Sequence, residues 1–180
     1  MEEKPSNTMM LLYNLLLTGA ALAGLPLLAT LVLFSEKRRR TALQRLGVRP
    51  GPARLRRRIA ARGDKPIWVH ALSVGEVVSA IPLMAALKER FGNRSLVFST
   101  STQTGFDIAS RKLAGTGDFV FHFPYDLLFS VAATVRAVDP ELVVLVESDI
   151  WPNFLSAMKK RGTPVALVNA RLSDRSYAGY

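Results

Sequence analysis

The chain has 180 residues, a formal net charge of +10, 49% hydrophobic residues and no cysteine. That length suits one domain, and the hydrophobic share excludes a disordered polyelectrolyte despite the charge. The lack of cysteine excludes a disulfide framework, a thiolate zinc site and a cysteine nucleophile, and two histidines, His70 and His122, are too few for a His-rich metal centre.

Met9–Phe34 comes first in the chain, inside a stretch from Pro5 to Ser35 that holds no charged residue. A helix crosses a bilayer with about 20 apolar residues, so this run is long enough to span. Asn14, Thr18, Pro26 and Thr30 are interruptions that a spanning helix tolerates. A cleaved signal peptide, with Ala21-Leu22-Ala23 as its cleavage site, is one alternative, and a peripheral or buried helix is another. Two features oppose the signal peptide: the leading flank is acidic, and Lys37-Arg38-Arg39-Arg40 follows the run. Positive charge stays in the cytoplasm, which predicts a single-pass anchor with the N-terminus outside and residues 36–180 inside.

The charge excess is local. Residues 36–65 carry a net +10, whereas residues 1–35 carry −1 and residues 66–180 carry +1. Lys37–Arg40 would suffice to fix orientation, but Arg54, Arg56, Arg57, Arg58 and Arg62 extend the basic stretch well past the anchor. Each cation gains on the order of 1 kcal/mol beside an anionic leaflet. Leu43, Leu46, Leu55 and Ile59 would bury among them on an interfacial helix, broken at Arg49-Pro50-Gly51-Pro52. Nucleic acid is the competing partner, but the stretch has no aromatic residue to stack on bases. A membrane surface is the expected partner, and no nucleic acid.

After Pro66 the pattern changes. Short apolar runs at Ile67–Ala71, Leu96–Ser99, Phe119–Phe123, Leu142–Val146 and Val165–Val168 read as strands of a parallel sheet. Between them lie helical patterns at Glu76–Phe91, Thr104–Leu113, Leu127–Val138 and Trp151–Arg161. Pro82 either kinks the first of these or makes it restart from a Ser79 cap. This alternation predicts right-handed βαβ units and an α/β, Rossmann-like open sheet. The domain organisation is therefore an anchor (1–35), a basic juxtamembrane segment (36–65) and one Rossmann-like unit (66–180).

Such sheets bind ligands beyond the carboxyl ends of their strands, where the strand order reverses. In the common order 3-2-1-4-5 that point lies between the first and fourth strands. The first strand exits through Ser73-Val74-Gly75-Glu76 and the fourth through Glu147-Ser148-Asp149, which puts both acidic sites at one crevice. Glu76 is equally an acid favoured by the dipole of a first helical turn, worth about 0.3–1 kcal/mol. Glu147 follows a run that should be buried, and a carboxylate there needs partners or a task. Gly75 would let a ligand approach the backbone. Two carboxylates in one crevice suit general-base chemistry on a hydroxyl nucleophile.

Ser99–Thr104 precedes Gly105 and offers hydroxyls and helix amides to a phosphate, although capping explains it equally well. His70 and His122 read as structural, Asp126 as a helix N-cap and Trp151 as packing. The first strand–helix loop lacks G-x-G-x-x-G and there is no Walker motif, which disfavours a dinucleotide-dependent reductase.

Five motifs occur in order: His70–Glu76 (HALSVGE), Ser101–Gly105 (STQTG), Phe123–Asp126 (FPYD), Glu147–Asn153 (ESDIWPN) and Asn169–Tyr180 (NARLSDRSYAGY). Together with the apolar helix and basic segment, they resemble the N-terminal half of bacterial 3-deoxy-D-manno-octulosonic acid (Kdo) transferases. The resemblance covers residues 9–180. It implies one Rossmann-like half of a GT-B glycosyltransferase of lipopolysaccharide biosynthesis, working at the cytoplasmic face of the inner membrane. Such enzymes transfer Kdo from CMP-Kdo to the lipid A precursor (lipid IVA) without metal or other cofactor. By the same resemblance Glu76 is the base on the acceptor hydroxyl and Glu147 supports it. Ser73, Gly75, Ser101, Thr102, Arg171 and Arg175 are the expected substrate-binding residues. Asp149-Ile150 stands where the family usually has Glu-Leu. The chain stops at Tyr180, where the family continues into the domain that supplies most of the donor site, so it is expected not to turn over alone. The alternative is a non-catalytic, membrane-anchored module that binds lipid A.

Overall fold

The structure, a computed structural model, describes residues 7–33, 36–48, 56–57, 59–61, 63–116, 119–147 and 150–170. In chain order the elements are α1 (Asn7–Leu33), α2 (Glu36–Arg45), β1 (Ile67–Ala71), α3 (Val74–Arg90), β2 (Leu96–Thr100), α4 (Gln103–Lys112), β3 (Phe119–His122), α5 (Leu128–Val138), β4 (Leu142–Val146), α6 (Pro152–Arg161) and β5 (Val165–Val168). The strands form one sheet in the order β3-β2-β1-β4-β5, with every pair parallel.

Side chains alternate across the sheet, and each face carries its own core. On one face Trp68, Val97, Phe121, Phe123, Val143 and Leu145 pack with Val131, Val135 and Val138 of α5 and with Phe154 and Met158 of α6. On the other, Ile67, Val69, Ala71, Leu96, Phe98, Val144 and Val146 pack with Val77, Ala80 and Met84 of α3 and Ala109 of α4. The helices change face because the sheet grows outward from β1 first in one direction and then in the other. Crossovers of constant hand then place α3 and α4 on one side and α5 and α6 on the other. The doubly wound Rossmann-like sheet expected from the apolar runs is present.

Three local expectations need correction. Of the two alternatives at Pro82 the restart is excluded: helix α3 is continuous from an N-cap at Ser73, and the Ser79 hydroxyl donates to Glu76 O at 2.9 Å instead of capping a new helix. Ile59 does not face a membrane: it is 8% exposed and belongs to the core on the α5–α6 face. Nor is the end of α2 a free basic element. Arg45 Nε donates to Phe123 O at 3.0 Å, Tyr125 N donates to Arg45 O at 3.0 Å, and the guanidinium lies 4.1 Å from the Tyr125 ring centroid. Arg49, Arg54, Arg58 and Arg62 lie outside the described residues.

Gly105, buried in the first turn of α4, faces Val77 of α3 and the hydroxyls of Thr100 and Thr102. A Cβ there would stand 2.7 Å from both Thr100 Oγ1 and Thr102 Oγ1 and 3.3 Å from Val77 Cγ2. Overpacking of this kind costs about 1–3 kcal/mol. Gly105→Ala is accordingly expected to lower stability by about that amount, read from denaturant unfolding of the detergent-solubilised chain. An unchanged midpoint would show that α4 shifts freely.

Candidate functional site

Strand β1 ends at Ala71, and two residues later the chain turns into α3. Ser73 is extended (φ −104°, ψ 172°) and caps the helix; its hydroxyl accepts from Glu76 N at 3.4 Å and donates to Glu76 Oε1 at 2.7 Å. Leu72 N donates to Glu76 Oε2 at 2.6 Å. This is a Ser-x-x-Glu capping box displaced by one residue, because the carboxylate reaches the amide before the cap and not the cap's own. The Thr100 hydroxyl, at the end of β2, donates to Leu72 O at 3.1 Å and ties the loop to the sheet. Glu76 is thereby held almost buried, at 7% exposure, at the carboxyl end of β1.

The capping role of Glu76 is therefore real, and it does not exhaust the carboxylate. Two oxygens offer about four acceptor positions, of which two are used. Beside it Gly75 is open: a Cβ there would meet only Ser73 Oγ, at 4.0 Å. Gly75 thus leaves open space beside a carboxylate fixed by its own helix start.

Strand β4 lies next to β1, with Val146 in register with Ala71, so Glu147 leaves the same end of the sheet. Its backbone is left-handed (φ 69°), unusual for a residue with a Cβ, and its N–H donates to Val168 O at 2.8 Å. Asn169, also left-handed (φ 56°), places its amide Nδ2 3.5 Å from Glu147 Oε1. The two carboxylates leave adjacent strands at the switch point, each with partners of its own.

The Ser101–Thr102 pair follows β2. Thr102 caps α4, its hydroxyl accepting from Gly105 N at 3.1 Å, so the capping reading of that loop holds for this residue. Ser101 differs: its hydroxyl is buried without a hydrogen-bond partner, while its carbonyl accepts from Arg45 Nη1 at 3.4 Å. The structure thus gathers Ser73, Gly75, Glu76, Ser101, Thr102 and Glu147 at one end of the sheet. Ser148, Asp149, Arg171 and Arg175 lie outside the described residues.

Both histidines are structural. His70 Nδ1 lies 3.0 Å from Ser99 Oγ and 3.1 Å from Ser99 O, and its ring stacks on Phe123 at 3.9 Å. Burial pushes its pKa down to about 3. His122 stacks on Phe106 at 4.5 Å, and burial, reinforced by the Arg45 charge, pushes its pKa down to about 4. Trp151 packs against Phe123, with ring centroids 5.7 Å apart.

Asp126 is a cap, but of a different helix from the one it precedes. Helix α5 starts from Leu127 without a side-chain cap. Asp126 instead accepts from Asn153 N and Phe154 N, both at 2.9 Å, and so caps α6. Its Oδ2 also accepts from Tyr13 OH at 2.8 Å. Burial raises its pKa, against the pull of these hydrogen bonds.

Arg45 and Asn169 were not singled out by sequence reasoning. Arg45 is one of 12 cations in a 30-residue stretch, and nothing in the sequence separates it from the rest. Asn169 stands in one of the quoted motifs, which is the signal that would have found it.

Comparison with known proteins adds a family match. Residues 32–180 match the family described as 3-deoxy-D-manno-octulosonic-acid transferase (kdotransferase). A protein of that name from Haemophilus influenzae is 40% identical over 116 residues, covering 63% of this chain and 26% of the relative. One from Chlamydia muridarum is 32% identical over 166 residues, covering 92% and 37% respectively. A third, from Bordetella pertussis, is 36% identical over 115 residues, covering 62% and 26%. The chain thus spans between a quarter and two-fifths of the length of these relatives.

Proposed function

The chain belongs to the 3-deoxy-D-manno-octulosonic acid transferase family, and from that premise we propose that it forms the acceptor side of an enzyme that transfers Kdo from CMP-Kdo to the lipid A precursor. The observation that carries the reading is Glu76, fixed at the switch point of the sheet by Leu72 N and Ser73 Oγ with Gly75 open beside it. In the reaction, Glu76 takes the proton of an acceptor hydroxyl. The acceptor oxygen then bonds to the anomeric carbon of Kdo, and the bond from that carbon to the CMP phosphate breaks, releasing CMP. Glu147 supports the site from the neighbouring strand. Ser73, Gly75, Ser101 and Thr102 line the acceptor approach, and Arg171 and Arg175 are proposed to meet lipid phosphates.

Most of the donor site is assigned to the part of the relatives that this chain does not span. The organisation proposed is a membrane helix (1–35), a basic segment (36–65) and a Rossmann-like acceptor unit (66–180) on the cytoplasmic side of the inner membrane. A second reading, a module that binds lipid A without catalysis, is favoured by one observation only: both Glu76 oxygens are already engaged in the helix cap.

The test is to incubate the protein expressed from the gene that encodes this chain, with whatever coding sequence follows, with CMP-Kdo and lipid IVA and follow the lipid by mass spectrometry. A mass increase of one or more Kdo units, with release of CMP, is expected. Binding of the lipid with no Kdo added to it would favour the second reading.

A further inference from the structure

Strand β2 ends on two hydroxyl residues that the pleat sends to opposite faces of the sheet. Ser99 faces the α5–α6 side, where its hydroxyl accepts from Trp68 Nε1 at 2.7 Å. Thr100 is buried on the α3–α4 side, in register with Ala71 of β1. A valine has the same shape and suits a buried strand end better, because a hydroxyl withdrawn from water costs free energy unless it is hydrogen-bonded. The Thr100 hydroxyl spends its bond outside the strand ladder: it donates to Leu72 O at 3.1 Å.

That carbonyl stands between the two groups that hold Glu76. On its amino side Leu72 N donates to Glu76 Oε2 at 2.6 Å, and on its carboxyl side Ser73 Oγ donates to Glu76 Oε1 at 2.7 Å. The peptide that joins Leu72 to Ser73 is a rigid plane, so fixing its oxygen orients the residues on both sides. The segment itself is open, with Leu72 and Ser73 half-buried and Val74 and Gly75 exposed. The next helix makes room for the same hydroxyl. A Cβ on Gly105 would stand 2.7 Å from Thr100 Oγ1, so the approach of α4 to that oxygen requires glycine. Leu72, Thr100 and Gly105, from three separate segments, meet at one oxygen atom.

We propose that Thr100 is a positioning residue for Glu76: its hydroxyl, bonded to Leu72 O, sets the Leu72 amide and the Ser73 hydroxyl that together aim the carboxylate. Thr100 acts through Glu76 and touches no substrate itself. The inference rests on the reading of Glu76 as the base of the proposed transfer. Without the hydroxyl the carbonyl loses its tether to the sheet, and a displacement of about 1 Å at a catalytic group costs up to about 10²-fold in rate.

The protein expressed from the gene that encodes this chain is compared with two variants. Thr100→Val keeps the side-chain shape and lacks the hydroxyl; Thr100→Ser keeps the hydroxyl and lacks the methyl group. With CMP-Kdo and lipid IVA, Thr100→Val is expected to lower kcat by about 10–100-fold while KM for the lipid stays within about twofold. Thr100→Ser is expected to return kcat to within about threefold of the wild type. In a Glu76→Gln background Thr100→Val should have no further effect, because no base is left to aim. Equal rates for the serine and valine variants, or the same loss in both backgrounds, would overturn the proposal.

A second readout needs no turnover. The Leu72 amide is protected by its bond to the Glu76 carboxylate. Its hydrogen exchange is expected to accelerate by about tenfold or more in Thr100→Val and to stay near the wild-type rate in Thr100→Ser, with Phe98 inside β2 unchanged in both. Unchanged protection of Leu72 in Thr100→Val would also overturn the proposal. The brace is thus decided even if the wild-type protein transfers no Kdo, a result that would count against the reaction alone.

Discussion

Replacing Glu76 by glutamine is expected to lower the proposed transfer of Kdo by about 10²–10⁴-fold, the usual contribution of a positioned general base. The fold should survive. Glutamine keeps a carbonyl oxygen for the Leu72 amide, and an amide in place of one capping oxygen costs on the order of 1 kcal/mol. The variant therefore separates the two roles of this carboxylate, which also closes the first turn of α3 through Ser73. Initial rates with CMP-Kdo and the lipid acceptor, measured beside a thermal unfolding curve, decide between them. A variant that melts within a few degrees of the wild type and transfers no Kdo identifies the base. Retention of transfer within a few-fold would reduce Glu76 to a cap and leave the hydroxyl proton without an acceptor at this position.

Acid should unfold the domain at a pH where its carboxylates are still mostly ionised. His70 and His122 are 1% and 5% exposed, with pKa values pushed down to about 3 and about 4. In the unfolded chain a histidine titrates near 6.5, so below that pH the unfolded state takes up protons that the folded state refuses. Folded values below unfolded ones mean stability that is fully present above about pH 6.5. It is lost as pH falls, steadily until the folded values are reached. At pH 5 the loss is on the order of 2 kcal/mol for each histidine, or about 4 kcal/mol together, a large share of a typical domain stability. Asp126 acts in the opposite sense, because its raised pKa makes the folded state the better proton acceptor there. Denaturant midpoints between pH 7.5 and 4.5 should fall with this slope, and His122→Phe should remove about half of it. A flat profile down to pH 5 would mean that these rings find compensation for their charge.

The fold was legible because its signals are local. Five short apolar runs, each bounded by helical periodicity, were enough to place the strands. The constant hand of βαβ crossovers then left few ways to order them, and β3-β2-β1-β4-β5 is the common one. Glu76 was legible for the same reason: it stands at the exit of a buried strand, in the first turn of the next helix. Ser101 and Thr102 look alike in sequence, yet one hydroxyl is orphaned in the interior and the other caps α4. Position along the chain does not distinguish them; burial does.

Determined by the sequence alone are the element order, the parallel sheet, the switch point and the acidic residues that border it. All of these follow from patterns repeating within a few residues. What the tertiary structure decided are partnerships across long separations. Asp126 caps the helix that begins 26 residues later and not the one it precedes. Arg45 leaves the crowd of basic residues to brace β3 and the Ser101 loop. Asn14, which reads as a tolerable interruption of a spanning helix, is bonded like its neighbour Tyr13 to a residue more than a hundred positions away. Periodicity and propensity report on a turn or a strand. They do not register a hydrogen bond whose donor and acceptor meet only after the sheet has been assembled.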